Sequence, residues 1–155
     1  MPLSFSRLES AHTSLEIILE LSDRAKQIID APNYAHIATI LPSGAPLVSP
    51  IWVAREGDLV LMGTGEGTQK AKNTVRDPRV ALSLTGHDNP YLQLQLRGRI
   101  IERRPDDDFA GMDAIAMKYT SEPFPWRHLT RRVLLVFEAE NERLEEIPFQ
   151  HKPAS

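Results

Sequence analysis

The chain has 155 residues, of which 41% are hydrophobic and 25% are charged, as expected for one globular domain with its own core. Its 18 Lys and Arg against 21 Asp and Glu give a net charge of −3, which excludes a general electrostatic attraction to nucleic acids or anionic membranes. Because the chain has no cysteine, disulfides, thiolate metal sites and cysteine nucleophiles are excluded, and any redox chemistry needs a bound cofactor. No secretory signal and no apolar run of about 18 residues is visible, so we expect a cytoplasmic protein.

Residues 1–33 are predicted to form an N-terminal helical segment. Apolar residues recur at helical spacing from about residue 8 to residue 31, and Ser22 with Asp23 interrupts the pattern as the cap of a second helix. Pro32 ends it, because the residue before a proline avoids helical geometry. We expect this segment to cover a single β-barrel domain at 34–148, followed by a frayed tail at 149–155.

Residues 34–64 are predicted to form three antiparallel strands. Alternating strand-forming residues occupy 34–41, a turn follows at 42–45, and 46–55 returns as the second strand of a hairpin. After a turn at 56–58, residues 59–64 form the third strand. Such short connections indicate an antiparallel meander and not βαβ units.

The second half of the chain is predicted to contain two helices and three further strands. A short helix follows residue 68 and stops at Asp77-Pro78, and strands are expected at 79–84, 91–102 and 132–140. A helix is expected to start at 105–108 and to run to about Tyr119, with acidic residues at its positive end. About six strands with inserted helices predict a small, mainly β barrel with peripheral helices.

The segment from Gly65 to Arg76 carries the strongest chemical signal. Its glycines allow a ligand close to the backbone, and Thr68 is a good N-cap for the helix that follows. The first amides of that helix lack helical partners, and Lys70 and Lys72 add two charges beside them, so a phosphate group fits there. The alternative is a solvated helix face. The segment matches neither a Walker loop nor a dinucleotide-binding glycine motif.

The order of the segments resembles the pyridoxamine 5′-phosphate oxidase-like (PPOX class) superfamily, and within it the small flavin and deazaflavin oxidoreductases. Residues 35–53, AHIATILPSGAPLVSPIWV, look like the first hairpin of that family. Residues 67–82, GTQKAKNTVRDPRVAL, look like its phosphate-binding helix and the strand after it. Segments 88–91, 96–100, 118–125 and 132–136 complete a match that covers about residues 28–136, and their order and spacing together are specific.

The resemblance implies a six-stranded antiparallel split β-barrel of the FMN-binding type. It implies a homodimer with two cofactor sites at the subunit interface, and either FMN or the deazaflavin coenzyme F-420 as the cofactor. Lys70 and Lys72, with Thr68 and Gln69, would hold the cofactor phosphate. The remaining implied contacts are the ring-lining Ser49, Pro50, Ile51 and Trp52, then Met62, Gly63 and Thr64 under the phosphate-bearing chain, and Tyr91 reaching in from the partner subunit.

Two positions depart from the family pattern. Many relatives have arginine where this chain has Thr68, and leucine often stands where this chain has Thr74. Because a hydroxyl does not replace a guanidinium, we expect weaker or reshaped phosphate recognition.

The function implied is that of an oxidoreductase in which the bound cofactor exchanges a hydride with a small organic substrate. No protein nucleophile is required, and Tyr91 or a water would supply a proton. The competing hypotheses are a non-catalytic flavin-binding carrier or sensor and a haem-binding split barrel. No nucleic acid, membrane or metal partner is expected.

Simpler roles are expected for several other residues. No pair among the five histidines has metal-ligand spacing; His36 is expected to be structural, and His128 lies near the expected site mouth. Dipole complementarity accounts for the acids at 106–108 better than a cation site does. Trp126 is either a lid or part of a packed loop, and we favour the packed loop. Arg97 and Arg99 are expected to make interface or cofactor-tail contacts.

Overall fold

The computed structural model describes residues 18–155, so the first part of the predicted N-terminal segment lies outside the described residues. Three helices and seven strands follow one another along the described part. They are α1 Asp23–Asp30, β1 Ala35–Ile40, β2 Pro46–Ile51, β3 Ala54–Glu56, β4 Leu59–Gly65, α2 Gln69–Arg76, β5 Arg79–Thr85, β6 Leu92–Pro105, α3 Ala110–Thr120 and β7 Arg132–Glu146.

All strands belong to one antiparallel sheet with the order β2-β1-β5-β6-β7-β4-β3. β2 and β3 follow one another in the chain but lie at its two opposite edges. The sheet therefore curls until its edges approach, which is the geometry of a split barrel. The predicted mainly β split barrel with peripheral helices is confirmed.

The sheet has seven strands where six were predicted, because the expected strand 46–55 is broken. Trp52 and Val53 belong to no strand, and the chain crosses there from one sheet edge to the other. Helix α3 satisfies the buried backbone that has no strand partner here: the amide of Val53 donates to the Tyr119 hydroxyl at 3.2 Å, and the Lys118 ammonium donates to the Val53 carbonyl. The prediction failed here because the tertiary partner of these two groups lies on a distant helix.

The barrel interior is filled by the alternate residues of its strands. Ile37, Met62, Leu82, Leu96 and Phe137 are each at most 2% exposed. Helix α1 covers one end of this core with the buried face Ala25, Ile28 and Ile29. Burial of one large apolar side chain contributes about 1.5–3 kcal/mol, so this core is the main source of stability.

The predicted caps hold for the first two helices, and the third helix starts later than predicted. Ser22 caps α1, and Thr68 caps α2 by accepting from the Ala71 amide at 3.3 Å. The third helix starts at Ala110, later than predicted, because β6 continues to Pro105 in its pairing with β7. Asp106 then reaches the helix start through its side chain, which accepts from the amides of Gly111 and Met112.

No helix within residues 18–155 has the length and apolar character needed to span a bilayer.

Candidate functional site

A cavity of about 600 Å³ opens where β2 ends, β4 leads into α2 and β7 begins. The start of β7 lies beside the β4–α2 turn because β4 pairs with β7, with Gly65 opposite Arg132, and the curling of the sheet brings the end of β2 towards them. The loop between α3 and β7 completes the walls. The cavity is lined by Tyr34, Pro50, Ile51, Trp52, Gly63, Thr64, Lys70, Met112, Phe124, Pro125, Trp126, Leu129 and Arg132.

Aromatic rings form much of this lining. Trp52 stacks on Tyr119 with ring centroids 5.0 Å apart and planes 8° apart, and Tyr34 stacks on the same Tyr119 at 5.7 Å. Tyr119 in turn donates a hydrogen bond to the carbonyl of Asn33 at 2.7 Å, which fixes the stack to the end of the α1 segment. A wall of this kind suits a planar, apolar ring.

The loop between α3 and β7 adds a second aromatic group. Phe124 meets Trp126 edge-on at 5.9 Å, and Trp126 remains 60% exposed. The expectation that Trp126 belongs to a packed loop is therefore wrong, since the indole lines the cavity and is open to solvent. Ring-to-ring contact with Phe124 holds it there, because little else packs on its outer face.

One end of the cavity is cationic. Burial and the neighbouring Arg132 lower the pKa of Lys70, and burial lowers the pKa of Arg132 against the opposing effect of Asp106. The Nε of Arg132 is buried with no hydrogen-bond partner, and within residues 18–155 neither cation forms an ion pair. Two half-buried positive charges that form no ion pair favour an anion between them.

The start of α2 contributes further donors to this end. The Thr68 hydroxyl donates to the Gly65 carbonyl at 2.9 Å and lies 3.0 Å from the Thr64 hydroxyl, so its proton is already used. Within residues 18–155 the amides of Gln69 and Lys70, the first two of the helix, have no acceptor. Together with the helix dipole they add to the attraction for an anion.

The structure brings together half of the predicted site residues. Those that line the cavity are Pro50, Ile51, Trp52, Gly63, Thr64 and Lys70. Ser49 is half-buried one residue before this set, and Met62 is buried in the core. Thr68 holds the turn and the helix start, while Gln69 is exposed and donates to Asn73 Oδ1 at 2.7 Å.

Lys72 is exposed and does not line the cavity. Successive helical residues are about 100° apart, so positions 70 and 72 project about 200° apart around α2. Lys70 faces the cavity and Lys72 therefore cannot. Helical periodicity alone would have separated the two lysines.

Tyr91 lies at the far end of the long β6–β7 pair. It packs against Phe149 at 5.4 Å and His151 at 6.1 Å. It precedes the first residue of β6, whereas the cavity lies where Pro105 at the end of β6 pairs with Val133. Within one chain Tyr91 is therefore remote from the cavity.

Several lining residues were not predicted, namely Tyr34, Met112, Phe124, Leu129 and Arg132. Arg132 is the most consequential of them, because its guanidinium is part of the cationic end. It lies against the turn before α2: a Cβ placed on Gly65 would be 3.6 Å from Arg132 Nη1 and 3.9 Å from Thr68 Cγ2. The β4–β7 register that creates this proximity is not readable from the local sequence.

The remaining candidates have ordinary structural surroundings. His128 is exposed and does not line the cavity, and Arg99 lies 3.5 Å from Glu140 and 3.9 Å from Glu138. The part of the chain that the structure describes holds no group of three His, Cys, Asp or Glu side chains arranged for a metal ion.

The chain is thus an antiparallel split barrel with a ring-lined cavity that is closed at one end by cations and free amides, as suits a small ligand with a ring and an anionic group. The family model described as pyridoxamine 5′-phosphate oxidase matches residues 21–145. The chain belongs to this family.

Solved structures with the same fold include proteins of different kinds. An F420 reductase is 29% identical, with a TM-score of 0.70, over 76% of this chain and 94% of that one. A conserved hypothetical protein from Mycobacterium tuberculosis is 21% identical, with a TM-score of 0.71, over 89% and 95% of the two chains. A heme binding protein from Mycobacterium smegmatis is 18% identical, with a TM-score of 0.62, over 86% of this chain and 57% of that one. The last two likenesses concern the fold alone. No curated protein sequence matches this chain.

Proposed function

We propose that this protein is an oxidoreductase that binds FMN or the deazaflavin coenzyme F-420 and passes a hydride between that cofactor and a small organic substrate. The observation that carries the proposal is the pair of uncompensated cations, Lys70 and Arg132, at one end of an aromatic cavity. The 29% identity to an F420 reductase supports it. The bound cofactor supplies the hydride chemistry, and the chain binds, orients and shields it.

The residues present fit such a cofactor. A phosphate between Lys70 and Arg132 would give the buried Arg132 Nε an acceptor and would use the free amides at the start of α2. The segment Pro50 to Trp52 and the aromatic wall suit a ring system. Gly63 allows Met112 to pack closely against β4 in the cavity lining, since a Cβ at position 63 would lie 2.5 Å from Met112 Sδ. A cavity of 600 Å³ is within the range of about 300–1,000 Å³ common for small-ligand sites.

Arg132 offsets the departure at Thr68 in this proposal. Its guanidinium, which comes from β7, lies beside Thr68 at the same turn. The charge that relatives place on the helix start is thus supplied from the neighbouring strand. The Arg132 guanidinium can then donate two hydrogen bonds to the phosphate, as an arginine at the helix start would, but from the side of β7.

The proton source is proposed to lie outside the cavity lining of one chain. No Asp, Glu or His is among the described residues that line the cavity, Lys70 is assigned to the phosphate, and Tyr34 is stacked on Tyr119, so we assign the proton to water or to a group from a second chain. The homodimer implied by the family resemblance remains part of the proposal, and because Tyr91 is remote from the cavity of its own chain, its predicted cofactor contact requires a partner subunit. A sedimentation measurement that finds a monomer with tight cofactor binding would refute this arrangement.

A titration with each cofactor tests the binding proposal. Both tryptophans line the cavity, so their fluorescence reports occupancy directly. Lys70→Ala should weaken binding by about 1.5–3 kcal/mol, the usual loss for a charged hydrogen bond, and Lys72→Ala on the same helix is the matched control with little effect. Equal losses for the two variants would remove the phosphate assignment.

The enzyme and carrier hypotheses differ in the predicted reactivity of the bound, reduced cofactor. Reduced cofactor bound to the protein should be reoxidised by unsaturated or quinone-like compounds if the protein is an enzyme. Persistent inertness across such a panel would favour a carrier or sensor. The haem alternative has less support, because no histidine lines the cavity within residues 18–155.

A further inference from the structure

An arginine behind the cationic end connects the elements that carry its two charges. Nη1 of Arg103 on β6 donates to Thr74 Oγ1 at 3.0 Å and to the Ala71 carbonyl at 3.3 Å, both on α2. Nη2 of the same guanidinium donates to Glu66 Oε2 at 3.0 Å. The two charged side chains are only 25% and 34% exposed, so solvent screens this ion pair less than a surface pair.

Two of the partners of Arg103, Glu66 and Thr74, are hydrogen-bonded to the backbone at or next to a cavity cation. The Glu66 amide donates to the carbonyl of Arg131 at 2.9 Å, immediately before Arg132. The Thr74 hydroxyl lies 3.1 Å from the Lys70 carbonyl and donates to it or to the Ala71 carbonyl. One guanidinium therefore joins the backbone next to Arg132 to the helix turn that carries Lys70.

The cationic end needs such a connection for two reasons. Lys70 and Arg132 repel one another, and no acid in the described residues pairs with either, so they would separate unless their backbones were held. Glu66 is also part of the turn that precedes α2, and an unpaired carboxylate there would repel a bound phosphate.

We propose that Arg103, Glu66 and Thr74 form a positioning clamp that holds Lys70 and Arg132 together for an anion and keeps the Glu66 carboxylate turned away from it. The inference rests on the proposed phosphate site and adds three positioning residues to it. None of the three lines the cavity.

The first experiment compares Arg103→Met with Arg104→Met. Arg104 is the next residue on β6 and is also bonded to two carboxylates, Glu56 and Glu102, but it does not contact α2. Arg103→Met should weaken the binding of whichever cofactor the unchanged protein binds by about tenfold, and Arg104→Met should leave it within about twofold. Thr74→Val, which removes only the hydroxyl, should weaken binding in the same direction if Arg103→Met does not fold.

The second readout needs no cofactor. The pKa of Lys70, measured by NMR of its ammonium group in the free protein, should rise towards its ordinary value in Arg103→Met as Arg132 moves away, and should not change in Arg104→Met. A lower melting temperature with unchanged affinity and an unchanged Lys70 pKa would show a merely structural arginine and overturn the clamp.

A double-mutant cycle tests whether Arg103 acts through Glu66. If it does, Arg103→Met combined with Glu66→Gln should bind about as well as Arg103→Met alone or better, because no unpaired carboxylate remains. If the affinity losses of the two single variants were independent, so that the double variant lost the product of both factors, the clamp would be contradicted. If the unchanged protein binds neither cofactor, the proposed function fails, and the Lys70 measurement still decides the clamp.

Discussion

The end of the molecule covered by α1 and the cavity end differ in how particular charges are compensated. At the end covered by α1, charged groups are paired: Arg55 meets Asp30 at 2.6 Å, and Lys26 meets Asp58 at 3.3 Å. A hydrogen bond from the Leu21 amide and the nearby Lys26 lower the pKa of Asp58, so the surroundings favour its charged form. At the cavity end, burial and mutual repulsion lower the pKa of Lys70, so the surroundings disfavour its charged form.

This difference separates the part of the molecule built for stability from the part that is prepared for a ligand. A charge kept half-buried without a partner reduces the free energy of unfolding unless a ligand compensates it. The exposed Trp126 ring at the same end also indicates a ligand site, because an indole that is mostly exposed contributes little to the core. The cavity end therefore has the features of a binding site, independently of any resemblance.

The largest effect on stability is expected from a substitution that disrupts the packing of the barrel wall away from the cavity. A Cβ on Gly98 would overlap the carbonyl oxygen of Glu138, at a point where the β6–β7 register shifts. Gly98→Ala should lower the free energy of unfolding by about 3 kcal/mol or more, measured by urea denaturation. Gly67→Ala is the control, because no atom lies within 4 Å of its added Cβ. Equal effects would show that the wall is more adaptable than its packing indicates.

A pair of arginine variants compares the two ends directly. Arg132→Met should raise the free energy of unfolding by about 1 kcal/mol, because it removes an unpartnered buried Nε, while cofactor binding weakens. Arg55→Met should lower it by up to about 1 kcal/mol, since the lost pair with Asp30 is partly exposed. Chemical denaturation without ligand measures both. Loss of stability in both variants would remove the contrast.

The pH dependence of stability sharpens the comparison at Lys118, which lies behind the aromatic wall. Burial lowers its pKa to about 8, against the opposing effect of Asp30. Between pH 8 and the ordinary value of 10.5, the unfolded chain binds more protons at this site than the folded chain, so its contribution to stability rises with pH. The free energy of unfolding of the unchanged protein relative to that of Lys118→Met should therefore increase over this range. Urea denaturation midpoints of both proteins at several pH values measure this difference. A difference that stays constant with pH would refute the lowered pKa.

The smallest effect is expected at the cavity mouth. Trp126→Ala should change the free energy of unfolding by less than about 0.5 kcal/mol, because the indole is 60% exposed. Ligand affinity should fall more noticeably, since the ring lines the cavity. A large loss of stability would restore the packed-loop interpretation of this residue.

Local patterns were sufficient for most of the fold. The alternation in β1, β4 and β5 and the caps at Ser22 and Thr68 were readable because each depends on neighbours a few residues away. The break at Trp52 and Val53 was not, because the groups that satisfy it, Lys118 and Tyr119, come from another part of the chain. The start of α3 was missed because pairing with β7 extends β6 beyond its own pattern.

For the candidate site, the sequence by itself determined the turn and helix that carry Lys70, the segment from Pro50 to Trp52, and the family likeness that connects them. Only the tertiary structure decided that Lys70 is the lysine that faces the cavity, that Trp126 lines the cavity and that Arg132 lies beside Lys70. The physical reason is the range of the interactions concerned. Turns and caps are local, whereas the meeting of two cations depends on a strand register between segments about seventy residues apart in the chain.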